Sequence, residues 1–214
     1  MIARLGRWML LIWLLLTTGA VLAVEDPAPL QLVKQTSDRM LTVLRAEREL
    51  LRREPERLYG LVEDIVLPHF DFERMGRWVL GKYWRRATPA QRQRFVEAFR
   101  NLLVRTYGTA LLEYRDETIR YLPFRMAPDD TRVTVRTEVL RPGGQPIPIN
   151  YSMYLAANGW KVDDISIDGI SLVSNYRSTF AAEIRQHGLD GLIARLEEMN
   201  RKAAEHSPGD AAGA

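Results

Sequence analysis

Residues 132–168 read RVTVRTEVLRPGGQPIPINYSMYLAANGWKVDDISID, and hydrophobic side chains recur there at nearly every second position. This alternation is typical of β-strands with one buried face. Two turn signals, PGG at 142–144 and NG at 158–159, divide the stretch into three strands joined by hairpins. A further strand is predicted over residues 116–126. The sequence therefore predicts an antiparallel sheet of about four strands that follow one another along the chain.

Helical periodicity replaces this alternation on both sides of the predicted sheet. Hydrophobic residues recur there at steps of three and four, which is the pattern of amphipathic helices. Thr88, Pro89 and Gln91 form a capping box with proline at the first helical position, so a helix should begin there. Helices before and after a meander of strands indicate an α+β fold in which several helices cover one face of the sheet. The predicted helices cover residues 29–53, 55–67, 71–81, 88–114, 172–187 and 189–203.

The composition is that of a globular protein, since 46% of the 214 residues are hydrophobic, 27% are charged and none is cysteine. These proportions exclude a disordered chain, a disulfide-stapled domain and a zinc finger. The length suits a single domain with one core. The net charge of +3 includes Arg4 and Arg7 near the N-terminus, and without them basic and acidic residues nearly balance. We therefore expect no nucleic-acid partner.

The N-terminus has the pattern of a secretory signal peptide. Two basic residues precede the uncharged stretch 8–24, which contains small residues near its end. We predict a signal peptide over residues 1–23, a folded domain over residues 24–205 and a disordered tail over residues 206–214. An uncleaved membrane anchor is the alternative, whereas a lipid-modified N-terminal cysteine is excluded because the chain has no cysteine. The expected location is the bacterial periplasm.

The sequence contains no clear pattern of catalytic residues. None of the three histidines lies at metal-ligand spacing from another histidine or a carboxylate, so no metal site is predicted. Ser171 lacks the second glycine of a nucleophile elbow and is better interpreted as a helix N-cap. Asp163 and Asp164 should point to opposite faces of a strand, and we expect them to be solvated near its end. The chain is therefore predicted not to be an enzyme.

The predicted helices and strands carry many apolar side chains. The helix predicted from Thr88 carries apolar residues over a wide arc, and the strands offer faces of small aliphatic side chains. Such surfaces can close into a packed core or leave an apolar cavity between them. The residues alone favour the packed core, with the cavity as the alternative.

Two separate blocks of the chain carry a family resemblance. Their motifs are LP at 67–68, LGKYW at 80–84, ATPAQR at 87–92, WKV at 160–162, DGISL at 168–172 and GLDGL at 188–192. With these motifs in order, residues 29–202 resemble the MlaC family of periplasmic phospholipid-binding proteins, also known as the toluene-tolerance auxiliary protein family. The family usually carries Glu where this chain has Asp168.

The resemblance implies a carrier that shuttles a glycerophospholipid between the outer and inner membranes and so maintains outer-membrane lipid asymmetry. The phospholipid is cargo, and no cofactor is expected. The implied partners are an outer-membrane MlaA-type lipoprotein with its porin and an inner-membrane Mla ABC transporter complex with an MlaD-type subunit. Arg85, Arg86 and Arg92 are candidate docking residues. Two alternatives are a carrier of hopanoids or other polycyclic lipids and a small-molecule enzyme of cone-shaped α+β fold.

The resemblance and the strand pattern together predict which side chains line an apolar lipid cavity between sheet and helices. On the helix side these are Phe99, Leu103, Tyr107 and Leu111. On the sheet side these are Val133, Val135, Val139, Ile147, Ile149, Tyr151, Met153, Trp160, Val162 and Ile170. Any of them could serve core packing alone, because in such a protein the cavity wall is also the core.

Overall fold

The computed structural model describes residues 26–112 and 117–205. The helices before the sheet are α1 (Ala28–Ala46), α2 (Arg48–Arg53), α3 (Pro55–Ile65), α4 (Phe72–Leu80), α5 (Lys82–Arg86) and α6 (Pro89–Leu112), with a 3-10 turn at Leu67–His69. The strands are β1 (Thr118–Tyr121), β2 (Arg132–Leu140), β3 (Ile147–Ala156), β4 (Gly159–Ile167) and β5 (Ile170–Ser171), followed by α7 (Leu172–Glu205). The predicted signal peptide and the predicted tail lie outside the described residues.

The five strands pair antiparallel in the order in which they occur in the chain. The predicted α+β class with a meander sheet is confirmed, but with five strands instead of about four. A turn at Asp168 and Gly169, whose φ angles are 51° and 80°, brings β5 back to pair with β4. The first strand is shorter than predicted, because in the described part of 116–126 it covers only Thr118–Tyr121.

The helix ends follow most of the capping signals. The Gln91 N–H donates to Thr88 Oγ1 (3.2 Å) and the Thr88 N–H donates to Gln91 Oε1 (2.9 Å), so the capping box is confirmed. The Ser174 N–H donates to Ser171 Oγ (3.0 Å), which confirms the N-cap of α7. The single helix predicted over 29–53 is wrong, because the chain breaks at Glu47 (φ −110°, ψ 15°) between α1 and α2. The break contains no glycine or proline and so has no sequence signal.

The C-terminal helix α7 bends at Gly188, which separates the two helices that the sequence predicts there. Gly188 has φ 72° and ψ 176°, a region that only glycine occupies readily. Replacing Gly188 by alanine should therefore lower the free energy of unfolding by about 1–3 kcal/mol. Urea unfolding followed by circular dichroism measures this change.

Gly60 provides the matched control for Gly188. It lies inside α3, and a Cβ atom added there would meet no other atom within 4 Å. Because alanine is the better helix former, Gly60→Ala should stabilise the protein by up to about 1 kcal/mol. If both substitutions change the stability equally, the bend at Gly188 does not require glycine.

The core consists of three hydrophobic clusters. The first lies between α4, α6 and α7, and Phe95, Phe99 and Phe180 fill its centre. The second joins α1, α2 and α3 to Val104 of α6. The third packs the start of α1 against the sheet residues Val135, Met153 and Val162. Among the helices, α1, α4 and α7 contact the sheet, whereas α6 packs mainly on α7, α3 and α4.

Asp163 corrects one expectation from the sequence. It is not solvated at a strand end but is only 2% exposed, because β4 carries a bulge opposite Ser152 and Met153 in which Asp163 is the extra residue. Its carboxylate accepts hydrogen bonds from Arg74 Nε (2.8 Å) and Arg132 Nη1 (3.0 Å). Two guanidinium groups thus compensate the buried charge.

Asp164 lies next to this bulge and also has a structural role. Its carboxylate accepts hydrogen bonds from Ser171 Oγ (2.6 Å) and from the Val173 N–H (3.1 Å). These bonds tie β4 to the first turn of α7. Both aspartates are therefore structural, and neither is merely solvated.

Candidate functional site

One face of the sheet is almost entirely aliphatic and aromatic. The β2–β3 register pairs Val133 with Met153, Val135 with Tyr151, Thr137 with Ile149 and Val139 with Ile147. Directly paired residues lie on the same face, so the two strands present one continuous surface, here called the inner face. The β3–β4 register adds Val162 opposite Met153 and Trp160 opposite Leu155. The structure thus brings nine of the ten predicted sheet-side residues together on the inner face.

Ile170 is the tenth predicted residue, and the structure places it differently. It belongs to the two-residue strand β5, where it pairs with Ile167 at the end of the sheet order. Its side chain is 61% exposed because the helical layer does not cover this position. The prediction that Ile170 lines a cavity between the sheet and the helices is therefore wrong, because this side chain faces solvent.

The β4 bulge explains two inner-face residues that the sequence prediction missed. Trp160 and Val162 set an alternation that would point Ile165 and Ile167 to the opposite face. The extra residue at Asp163 shifts the register, so that Ile165 pairs with Tyr151 and Ile167 with Ile149. Both isoleucines therefore join the inner face. Two adjacent aspartates inside a strand pattern are the only sequence signal of this shift.

Polar side chains are few on the part of the inner face that β2 and β3 form. Thr137 is 1% exposed, and its Oγ1 donates to the Ile149 carbonyl (3.0 Å). Burial raises the pKa of Tyr151 to about 12, because the phenolate would lose its hydration. Part of the Tyr151 surface nevertheless stays accessible.

The four predicted helix-side residues divide between two clusters. Phe99 is fully buried, with ring centroids 5.3 Å from Tyr176 and 5.9 Å from Phe180, so it packs against α7 rather than facing the sheet. Leu103 belongs to the same cluster, and the half-buried Tyr107 lies at its margin. Leu111 is half-buried against the cluster of α1, α2 and α3. The sequence could not predict this division because α6 is apolar over too wide an arc.

A groove of about 320 Å³ opens between α1 and β1. Its volume is at the lower end of the range for ligand pockets, about 300–1,000 Å³. On the β1 side it is lined by Ile119 and Tyr121, which pair with Val139 and Thr137 of the inner face. The groove therefore leads from the surface to the margin of the inner face. Its full lining is Asp38, Leu41, Thr42, Arg45, Thr118, Ile119 and Tyr121.

Residues 26–112 and 117–205 were also searched for metal sites, membrane-spanning helices and histidines suited to catalysis. No group of three or more metal-binding side chains occurs among them, and none of their helices is long and apolar enough to span a membrane. Burial and the nearby Lys161 and Arg39 lower the pKa of His69, which favours its neutral form. His187 Nδ1 lies 3.0 Å from Glu183 Oε1 on the surface of α7. The site is therefore best described as apolar.

Two relatives of known name are similar to this chain over almost its whole length. The toluene tolerance protein ttg2D of Pseudomonas putida is 31% identical to this chain and aligns over 97% of it and 98% of its own length. The intermembrane phospholipid transport system binding protein MlaC of Haemophilus influenzae is 24% identical, with 91% of this chain and 94% of that protein aligned.

A solved structure shares the fold. The phospholipid-binding protein from Ralstonia solanacearum, determined in complex with a phospholipid, superposes with a TM-score of 0.77 at 36% identity and covers 84% of this chain and 99% of its own. The sequence pattern of the MlaC protein family matches residues 34–198. A family match over most of the chain, a relative aligned almost end to end and a shared fold lead to one conclusion: the chain belongs to the MlaC family.

Proposed function

We propose that this protein binds a glycerophospholipid and carries it through water. The observation that carries the proposal is the 36% identical Ralstonia solanacearum protein, which has the same fold and holds a phospholipid. The aliphatic inner face supports it, because hydrocarbon tails need an apolar surface without directional polar contacts. Each CH₂ group removed from water contributes about 0.8 kcal/mol, so an unescorted lipid crosses an aqueous gap very slowly.

The groove between α1 and β1 supports a path for the acyl tails to the inner face. Leu41, Ile119 and Tyr121 give it an apolar wall, and the inner face begins where Ile119 and Tyr121 pair with β2. The groove is small for a whole phospholipid, so we propose that α1 moves away from β1 when tails enter. Inner-face residues that are half-buried in this structure would then contact the lipid.

The wider role follows from the family. We propose that residues 1–23 are a signal peptide, that residues 24–205 are the binding unit and that the protein works in the periplasm. There it would shuttle phospholipid between an outer-membrane MlaA-type lipoprotein with its porin and an inner-membrane Mla transporter with an MlaD-type subunit. The names of the two curated relatives, which refer to toluene tolerance and intermembrane phospholipid transport, support this assignment.

We propose a carrier rather than an enzyme because the inner face offers no acid–base pair. Its buried polar side chain Thr137 is committed to a backbone carbonyl, and burial raises the pKa of Tyr151 far above neutrality. Neither group is suited to proton transfer near neutral pH. The phospholipid would therefore leave chemically unchanged.

Lipid extraction tests the proposed function. The mature protein, purified from cells without detergent, is extracted with organic solvent and the extract is analysed by mass spectrometry. We expect diacyl glycerophospholipid in near-stoichiometric amount. A polycyclic lipid instead would identify a hopanoid carrier, and a protein that is empty and binds no phospholipid from vesicles would contradict the proposal.

A further inference from the structure

The surface of α4 and α5 combines exposed cations with an exposed tryptophan. Trp78 is 46% exposed, although tryptophan is usually well buried in folded proteins. On α5, Lys82, Arg85 and Arg86 are exposed at the spacing of one helix side, whereas Trp84 is buried and anchors this short helix. Every exposed side chain of α4 and α5 is thus charged or aromatic.

The helices α4, α5 and α7 bring these side chains to one side of the molecule. Arg77 and Trp78 lie four and three residues before Gly81, so they share the face of α4 that leads into the turn at Gly81. The Arg77 guanidinium carbon lies 5.9 Å from the centre of the Trp84 ring of α5. Gly81 lies beside Arg177 of α7, because a Cβ atom added to Gly81 would be 3.3 Å from Arg177 Nη2. The residues of this basic surface are Arg77, Trp78, Lys82, Arg85, Arg86 and Arg177.

Acidic residues do little to neutralise the basic surface. Residues 74–92 contain six basic residues and no acidic one. Arg77 has an ion-pair partner in Glu73, with Arg77 Nη2 3.4 Å from Glu73 Oε1. Within residues 26–112 and 117–205, no carboxylate forms an ion pair with the other four cations of the surface. These four cations therefore remain available to an anionic partner.

We propose that the basic surface docks the protein on a bilayer that contains anionic phospholipid. Tryptophan suits the headgroup region because its ring is apolar and its N–H is polar, and the long basic side chains reach lipid phosphates from the water side. The inference rests on the proposed function, since a lipid carrier must meet a membrane to load its cargo. It adds the bilayer surface itself as a partner.

The composition of the basic surface favours a bilayer over an acidic protein. Among the residues of α4 and α5, Trp78 is the only large apolar side chain that is exposed. A stable protein interface has an apolar core of several such side chains. A single interfacial ring beside a cluster of basic residues is instead sufficient for reversible attachment to an anionic membrane.

Co-sedimentation with lipid vesicles at low salt tests the docking surface. One set of vesicles is phosphatidylcholine alone, and the other contains about one third phosphatidylglycerol. The wild-type mature protein should bind the anionic vesicles at least about tenfold more tightly. Raising the salt concentration should reduce this preference, because exposed charges are screened. A wild-type protein that binds both vesicle types equally would overturn the proposal.

Two variants separate the cations from the ring. Lys82→Gln/Arg85→Gln/Arg86→Gln should lose most of the preference for anionic vesicles, since each basic residue near such a surface contributes roughly a fivefold change in affinity. Should this variant fail to fold, Arg86→Gln alone replaces it and should lower the preference severalfold. Trp78→Ala should weaken binding to both vesicle types by a similar factor. If Trp78→Ala binds both like the wild type, the bilayer assignment is overturned.

The matched control removes the same charge from scattered positions. Arg53→Gln/Arg125→Gln/Arg141→Gln changes exposed residues of α2 and of the loops on either side of β2. It should keep the wild-type preference for anionic vesicles. An equal loss in both triple variants would show attraction by net charge alone and would overturn the docking surface.

Two further measurements distinguish the remaining outcomes. Soluble polyglutamate should compete poorly with anionic vesicles, because it offers no interface for Trp78, and competition as strong as that of the vesicles would overturn the bilayer in favour of an acidic protein partner. Organic extraction of the same variants should yield the wild-type amount of phospholipid, because docking does not involve the inner face. Loss of vesicle binding with lipid retained therefore concerns docking alone, whereas a wild-type protein without phospholipid contradicts the proposed function.

Discussion

Replacing Ile149 by aspartate is expected to remove bound phospholipid from the purified protein. Ile149 lies in the middle of the inner face, paired with Thr137 on one side and Ile167 on the other. A carboxylate there must either stay charged against hydrocarbon or take up a proton, and both are unfavourable by several kcal/mol. Because each 1.4 kcal/mol is a tenfold change, the lipid-to-protein ratio should fall by at least about a hundredfold. Phosphate analysis of organic extracts measures this ratio.

Ile170→Asp is the matched control for Ile149→Asp. It makes the same chemical change in β5, at the end of the sheet. The Ile170 side chain is 61% exposed, so the new carboxylate can stay hydrated. Lipid retention should therefore be unchanged, as it should also be in Arg86→Asp on the surface of α5. Circular dichroism and thermal unfolding verify that each variant is folded. Equal loss of lipid from Ile149→Asp and Ile170→Asp would argue against the inner face as the binding surface.

The double variant Arg74→Gln/Arg132→Gln is expected to lower the free energy of unfolding by about 3–5 kcal/mol near neutral pH. It leaves Asp163, which is 2% exposed, without a cationic partner at the β4 bulge. We expect a value near 3 kcal/mol, because both guanidinium groups are partly exposed and each ion pair by itself contributes little to the stability. Chemical denaturation with linear extrapolation measures the change.

Two further variants separate buried charge from ordinary ion-pair loss. Adding Asp163→Asn to the double variant removes the unpaired charge and should restore a large part of the stability. Arg94→Gln breaks an exposed pair in which Arg94 Nη2 lies 2.7 Å from Glu197 Oε2, and it should leave the stability nearly unchanged because both groups stay hydrated. If the triple variant is no more stable than the double variant, burial of the Asp163 charge is not the cause.

The fold was largely predictable because its signals are local. The alternation over residues 132–168 and the PGG and NG turns predicted three strands that the structure contains as β2, β3 and β4. Capping signals placed the start of α6 and of α7. The sequence missed the break at Glu47, since a helix that stops without glycine or proline depends on tertiary packing rather than on local propensity.

The candidate site was predictable only on its sheet side. A strand alternates with a period of two, so nine inner-face residues could be assigned from this pattern together with the family resemblance. Two features of the structure do not follow this alternation. The bulge at Asp163 moves Ile165 and Ile167 to the inner face, and Ile170 is exposed at the end of the sheet. On the helix side, the wide apolar arc of α6 could not show which residues face α7.

The strand order of the sheet has a consequence for how the protein acquires its shape. Because each strand pairs with the next one in the chain, pairing requires only short loops to close, and the entropy lost at each step is small. Chains dominated by such nearby contacts fold quickly. The contacts of Leu30 and Val33 with the sheet instead bridge the first and second halves of the chain. The meander should therefore form early, and docking of α1 should be among the last events, so that the groove between α1 and β1 forms last.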